Sequence, residues 1–383
     1  MPWQEIGTVE LRAEFVVLAR SGTLTFSELC RRYSISRKTG YKWLQRFEEC
    51  GVSALQDHSR RPISQPTHTS PEIEALVVAC FDKYPEWGPR KLRRVLVDEG
   101  HQRLPVPSTI SEILRRHNRS QSSSPEPMPW NRFEHPYPND LWQMDFKGHF
   151  ALGEKRCYPL TVLDDCSRFS LCLKACGNEQ TQTVRDALTA TFQQYGLPRR
   201  MTMDNGPPWG AGGGNGRFSR LTVWLMEQGI TVGHSRPYHP QTQGKLERFH
   251  RTLKSELLGR RQFDSFERCQ REFNSWRDRY NLERPHEALG MERPASRYEC
   301  SQRSWQEHMP AYEYGVTDEV RKVSADQCIS FHRYVIAVGE GFVGKQVAVR
   351  PTSTDGRYTI HFCHQQLTEI DLRALTKRVR YDR

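Results

Sequence analysis

Three carboxylates stand where a chain of this kind could do chemistry. Asp145 interrupts an otherwise strand-like run, Trp142-Gln143-Met144-Asp145-Phe146, where a charge belongs only if it faces solvent or a metal. Asp204 closes another strand-like run, Met201-Thr202-Met203-Asp204-Asn205-Gly206, a place from which loops present reactive groups. Glu247 lies on a helical stretch, Gly244-Lys245-Leu246-Glu247-Arg248-Phe249-His250-Arg251. Helical phase puts Leu246, Phe249, Leu253 and Leu257 on one apolar face, with Glu247 at its margin beside Arg251 and Lys254, while Glu256 points the opposite way. Converging carboxylates suit Mg2+ or Mn2+, which prefer hard oxygen ligands and keep positions open for water and phosphate. Two such ions, about 3.5–4 Å apart, activate the attacking oxygen and stabilise the leaving one in phosphodiester chemistry. The chain holds 45 acids, and an Asp at a strand end is ordinarily a cap or turn former, so position alone does not settle the matter.

The surrounding sequence adds to it. Trp142 to Phe146, Leu163-Asp164-Asp165-Cys166-Ser167-Arg168, Asp204-Asn205-Gly206-Pro207 and Ser235-Arg236-Pro237-Tyr238-His239-Pro240-Gln241-Thr242-Gln243-Gly244-Lys245-Leu246-Glu247-Arg248-Phe249 occur in that order. Over about residues 137–300 the chain resembles the integrase catalytic core of bacterial insertion-sequence transposases, the DDE group related to retroviral integrases. The resemblance implies a ribonuclease H-like fold, with Asp145, Asp204 and Glu247 as catalytic residues and ligands of two Mg2+ or Mn2+ ions. It implies hydrolytic nicking at transposon ends and joining of the freed 3′-hydroxyls to target DNA. Asp164 and Asp165 are then structural, and Tyr238 and His239 belong to a DNA-facing loop leading into the Glu247 helix. Two departures stand out: 42 residues separate Asp204 from Glu247, a longer gap than the family's usual one, and Gln243 replaces a common Asn. The glycine-rich stretch from Gly210 to Gly216 accounts for the extra length. The His/Cys spacing of retroviral integrase zinc modules is absent, so no structural zinc is expected.

Other elements must deliver DNA to these acids. Residues 9–50 read as three short helices. Thr25 and Glu28 form a capping box, Ser34-Ile35-Ser36 a turn, and Ser36 the cap of the helix from Arg37 to Glu48. This is a helix-turn-helix pattern. In the last helix Gly40, Trp43, Leu44 and Phe47 share one face, while Lys38, Lys42, Gln45 and Arg46 share the other, as a major-groove reader requires. Arg37, Lys38, Lys42 and Arg46 are therefore candidate DNA contacts. A second such unit follows, with helices from Pro71 (capped by Ser70), near Pro89 and from Pro107. Near Glu247, Lys245, Arg251 and Lys254 are candidate phosphate contacts. In the tail, Lys322, Arg333, Lys345 and Arg350 fit either a DNA grip or an oligomerisation surface.

The resulting expectation is a multidomain chain: a helix-turn-helix domain at 1–58, a second at 59–117, a Ser/Pro-rich linker at 118–136, an α/β core at 137–300 with a mixed five-stranded sheet and flanking helices, and a small all-β barrel at 310–383. The 383 residues carry 56 Lys and Arg, a net charge of +11 spread along the whole chain, which points to a polyanion partner. No run approaches the roughly 18 apolar residues that span a bilayer. The 11 cysteines, an odd number without a CxxC pair, read as reduced thiols, and the N-terminal residues do not read as a signal peptide, so a cytoplasmic, DNA-associated protein is expected. Its partners are the element's terminal inverted repeats, target DNA and further copies of itself, as a homodimer or larger assembly, because two ends must be brought together. The competing readings are a DNA-binding regulator whose core no longer cuts, and a ribonuclease of RNA–DNA hybrids, which would have no use for sequence-reading helices.

Overall fold

The computed structural model describes residues 7–57, 69–119, 134–210, 218–234 and 244–374. Tyr238, His239, most of the glycine-rich stretch and most of the expected linker lie outside them. The chain divides into two compact units, residues 1–69 and 70–383.

The first unit holds α1 (Thr8–Ser21), α2 (Phe26–Arg32) and α3 (Arg37–Cys50). The Glu28 amide donates to Thr25 Oγ1 and the Thr25 amide to the Glu28 carboxylate, closing the expected capping box. Ser36 Oγ accepts the Thr39 amide at 3.1 Å and starts α3. Phe15, Val16, Leu29, Cys30 and Trp43 form the core. Gly40 lets α3 approach it closely, since a Cβ there would lie 2.8 Å from Cys30 Sγ and 3.0 Å from the rings of Phe15 and Phe26.

The second unit begins with α4 (Pro71–Lys83), α5 (Pro89–Asp98) and α6 (Pro107–Arg116), packed around Trp87, Leu92, Leu96, Ile110 and Ile113. Ser70 does not cap α4 through its side chain; its hydroxyl bonds the Glu72 carboxylate instead. The catalytic-core region follows: β1 (Leu141–Phe146), β2 (Phe150–Leu152), β3 (Lys155–Asp164), β4 (Ser170–Cys176), α7 (Thr181–Tyr195), β5 (Arg200–Met203), α8 (Arg220–Glu227), β6 (Thr231–His234), α9 (Gly244–Leu253) and α10 (Phe266–Leu282). β1 and the short β2 both pair with β3, so the sheet has six strands where five were expected, β2 being the addition at its edge. β3 also pairs with β4; these three pairings are antiparallel, while β1–β5 and β5–β6 are parallel, so the sheet is mixed. Successive strand side chains point to opposite faces. Trp142, Met144, Met201 and Met203 face the α7–α8 layer, while Leu163, Leu173 and Ala175 face α9 and α10.

The helix carrying Glu247 runs on into a π-helical turn over Lys254–Leu258. That turn buries Glu256, which accepts from Arg284 Nε at 2.9 Å and Trp276 Nε1 at 3.1 Å. The α4–α6 unit docks beside it: Tyr84 Oη donates to Glu283 at 2.8 Å, Arg293 pairs with Asp98 at 3.0 Å and Arg260 with Glu86 at 3.4 Å. Lys91 of α5 is held down to about 8, first by burial and then by the Arg284 charge, against the pull of Glu256 and Glu287.

The tail departs from the expected barrel. β7 (Glu319–Lys322), β10 (Gln346–Pro351), β11 (Arg357–Phe362) and β12 (Gln365–Asp371) form an open antiparallel sheet in the order β12-β11-β10-β7. β8 (Cys328–Phe331) and β9 (Tyr334–Ala337) pair only with each other, so among the described residues nothing closes the sheet into a barrel. Its apolar face joins the core cluster of the α7–α8 layer, which removes the need for closure.

Removing one partner of a buried ion pair leaves the other charge uncompensated, at a cost of about 3–5 kcal/mol. Glu256→Ala should destabilise the protein by that amount in urea titrations, whereas Asp264→Ala, which breaks the exposed Arg268 pair, should leave the midpoint almost unmoved.

Candidate active site and DNA-reading helix

Register brings two of the three acids together. Leu141, Trp142 and Gln143 of β1 lie opposite Arg200, Met201 and Thr202 of β5; continued by two residues, the pairing sets Asp145 beside Asp204. Neighbouring strands stand about 4.8 Å apart. Alternation from Met144 turns the Asp145 carboxylate to the α9 face, and Asp204 follows the last residue of β5 in an exposed position. Burial pushes the Asp145 carboxyl up to about 6, and Asp204 and Glu179 push the same way, against the Phe146 amide and Lys147. Glu179, in the loop before α7, is an acidic neighbour that sequence spacing did not single out.

Glu247 stands apart from this pair. It is exposed on the first turn of α9, and among the described residues no group of three or more His, Cys, Asp and Glu stands close enough to hold a metal ion. Its helix is nevertheless fixed to the strand that carries Asp145. The Thr161 hydroxyl, opposite Asp145 on β3, donates to the Asp145 carbonyl oxygen at 2.8 Å. With its proton so used, Thr161 Oγ1 accepts from His250 Nε2, also at 2.8 Å. His250 follows Glu247 by three residues and is 8% exposed. Burial, reinforced by Lys147, depresses its pKa to about 3, so the ring is neutral with its proton on Nε2.

The acids after β3 have structural partners. Asp164 is fully buried and accepts from the Asn139 amide and from the amide and hydroxyl of Ser167. Asp165, equally buried, accepts from Gln143 Nε2 and the His135 amide and pairs with Lys245 Nζ at 2.5 Å. Lys245, expected at phosphate, is therefore turned inward as the counter-ion of a buried carboxylate. Its pKa is lowered, first by burial. Arg251 and Lys254 remain exposed on the Glu247 helix and its π turn. In the tail, Arg350 grips Asp318 through two bonds of 2.7 and 2.8 Å, and Lys345 pairs with Glu227 at 2.5 Å. Both are engaged within the protein.

In the first unit, α3 presents Arg37, Lys38 and Lys42 exposed, with Arg46 partly covered. The Lys42 and Arg46 cations lie 4.8 and 5.1 Å from the Trp43 ring centroid. Among the described residues none of these four cations pairs with a carboxylate, an arrangement open to a polyanion.

Comparison with known proteins follows the same division. Integrase core domain models match residues 135–240 and 228–294, and the IS481 family transposase, C-terminal domain, matches 318–378. A helix-turn-helix domain model matches 11–63 and a homeodomain-like domain model 39–114. The chain is 25% identical to the insertion element IS476 39.2 kDa protein of Xanthomonas euvesicatoria, over 69% of this chain and 75% of that one. It is 23% identical to the insertion element IS407 31.7 kDa protein of Burkholderia multivorans, over 61% of this chain and 82% of that one. The HTLV-2 integrase catalytic core domain, solved in complex with magnesium, aligns with 43% of this chain and 99% of its own at 16% identity and a TM-score of 0.33, too low to add to the argument. Among the described residues no helix is long and apolar enough to cross a membrane.

The His250 pKa carries a stability consequence. Its folded value lies below the unfolded one, so the unfolded chain takes up the proton first, and stability present above about pH 6.5 is lost as the pH falls. From pH 7 to 5 this amounts to about 2 kcal/mol. The wild type should lose that much more than His250→Asn between these pH values in urea titrations, a difference in which the opposite contribution of Asp145 cancels; equal losses would place His250 in water. The integrase core, the helix-turn-helix matches and the insertion-element relatives together make the chain similar to bacterial insertion-sequence transposases with an integrase-like core.

Proposed function

We propose that the protein binds the terminal inverted repeats of its insertion sequence, nicks their ends and joins the 3′-hydroxyls to target DNA, with Asp145, Asp204 and Glu247 as the catalytic, metal-binding residues. The observation that carries the reading is the strand register that brings Asp145 toward Asp204; burial of Asp145, with the Asp204 charge beside it, disfavours the ionised Asp145 carboxyl unless a cation joins it. The donor set is hard oxygen and suits Mg2+ or Mn2+. When bound, such a cation supplies Lewis acidity at the scissile phosphate. Asp145 and Asp204 would hold it from the sheet and Glu247 from α9. Thr161 and His250 keep that helix on the strand of Asp145.

Arg37, Lys38, Lys42 and Arg46 on α3 would read and grip the element ends, and Arg251 and Lys254 would take backbone phosphates near the acids. Tyr238 and His239 belong to the same proposal through the sequence resemblance alone. Two ends must meet for a joined product, so the working form would be a homodimer or larger assembly on DNA.

A second reading, a DNA-binding regulator whose core does not cut, draws on one observation: among the described residues Glu247 does not join the aspartate pair. The two readings part in a nicking and strand-transfer assay with Mg2+ on duplexes carrying the DNA that flanks the protein's own gene. Wild type should nick and join. Asp145→Asn should abolish both while leaving end binding within a few-fold, and Lys42→Ala should weaken end binding. Binding by wild type with no nicking would favour the regulator, and joining by Asp145→Asn would remove Asp145 from the proposed site.

A further inference from the structure

β6 is a four-residue edge strand, hydrogen-bonded to β5 on one side only. A strand this short at an edge has few bonds to hold its position and leaves outward N–H and C=O groups to be satisfied. Its last residue matters for the aspartate pair. His234 lies opposite Met203, and its Nδ1 bonds the Asp204 carbonyl oxygen at 3.0 Å. A carbonyl can only accept, so Nδ1 carries the proton and the ring holds the Asp204 backbone from β6.

The outer edge of β6 is closed by a side chain 133 residues away. The Val232 amide donates to Gln365 Oε1 at 2.8 Å, and Gln365 Nε2 donates to the Val232 carbonyl at 2.8 Å. The carboxamide thus supplies one donor and one acceptor to a single residue, as a neighbouring strand would. Beside it, Thr231 Oγ1 and His364 Nε2 lie 3.2 Å apart. Gln365 begins β12, and the sheet behind it is seated firmly on α8. The Phe342 ring meets Phe218 edge-on at 5.8 Å, the Lys345–Glu227 pair ties the loop before β10 to α8, and Gly341 packs so tightly that a Cβ there would lie 2.7 Å from the Phe218 carbonyl oxygen. Two of the four tail cations that could have gripped DNA are engaged in ion pairs, Lys345 with this same surface.

We propose that the C-terminal β-sheet is a clamp on the catalytic sheet, in which Gln365 is a positioning residue that fixes β6 and, through His234, the backbone of Asp204. The proposal rests on the reading of Asp204 as a metal ligand, and the clamp itself can be tested without it.

The test uses full-length wild type, Gln365→Leu and Gln365→Glu. Glu keeps the acceptor for the Val232 amide and loses the donor, so it is a half-lesion that preserves size. Amide hydrogen exchange is followed across 231–234 and 203–206, and nicking kinetics are measured with Mg2+ on the gene-flanking duplex. Leu should speed exchange at least tenfold in both segments and lower kcat about tenfold with KM for the duplex unchanged. Glu should fall between Leu and wild type in both readouts, and it carries the test if Leu does not fold. Faster exchange confined to 231–234, or a change in KM with kcat intact, would overturn the positioning role. If wild type does not nick, the catalytic reading of Asp204 fails, and exchange at 203–206 still decides whether the clamp exists.

Discussion

The Thr161 hydroxyl is where the two halves of the candidate site meet. It has one proton to give, and the Asp145 carbonyl takes it; it has a lone pair to offer, and His250 Nε2 uses it. This fixes the direction of each bond in the chain from helix to strand and requires a proton on His250 Nε2. A residue that lost either capacity would leave α9 held by the packing of Leu246, Phe249 and Leu253 and by the Lys245–Asp165 pair at its first turn.

Around it the structure uses buried polar groups as fasteners, each with its bonding capacity matched. Asp164 ties Asn139 to Ser167, Asp165 gathers Gln143, His135 and Lys245, and Glu256 joins Arg284 to Trp276. Each joins segments distant in sequence. An apolar core alone would tolerate small slides between these segments, and hydrogen-bonded groups do not, because a displaced partner leaves a desolvated charge.

Much of this was legible in the sequence. A charge inside the run from Trp142 to Phe146 announces that one face of a strand is special, and alternation tells which neighbours share it. The caps at Thr25 and Ser36 depend on residues three apart and are equally plain. What could not be read depends on distant pairing. His250 looks like any helical histidine until Thr161 is placed beneath it, and Gln365 carries no local mark of its bond to Val232. Lys245 stands near Glu247 in the sequence, yet nothing local marks the buried Asp165 as its partner. The expected barrel failed for a related reason: strand count and turn spacing do not reveal whether the last strand meets the first, and here an apolar face covered by α8 leaves no need for it. Long-range partners of this kind set register and closure without leaving a periodic signal.

The inward pairing of cations bears on how the protein should respond to its ionic surroundings. Each phosphate neutralised by a protein cation releases condensed counterions, and the salt dependence of affinity counts those events. Lys245, Lys345 and Arg350 already have carboxylate partners inside the fold. They contribute to the formal charge of +11 while their own charge is already matched within the fold. On the proposed reading the steepness of the salt response is set by the α3 cations, which have no carboxylate partner among the described residues, and by the exposed ones beside Glu247, a smaller and more localised set than the composition suggests.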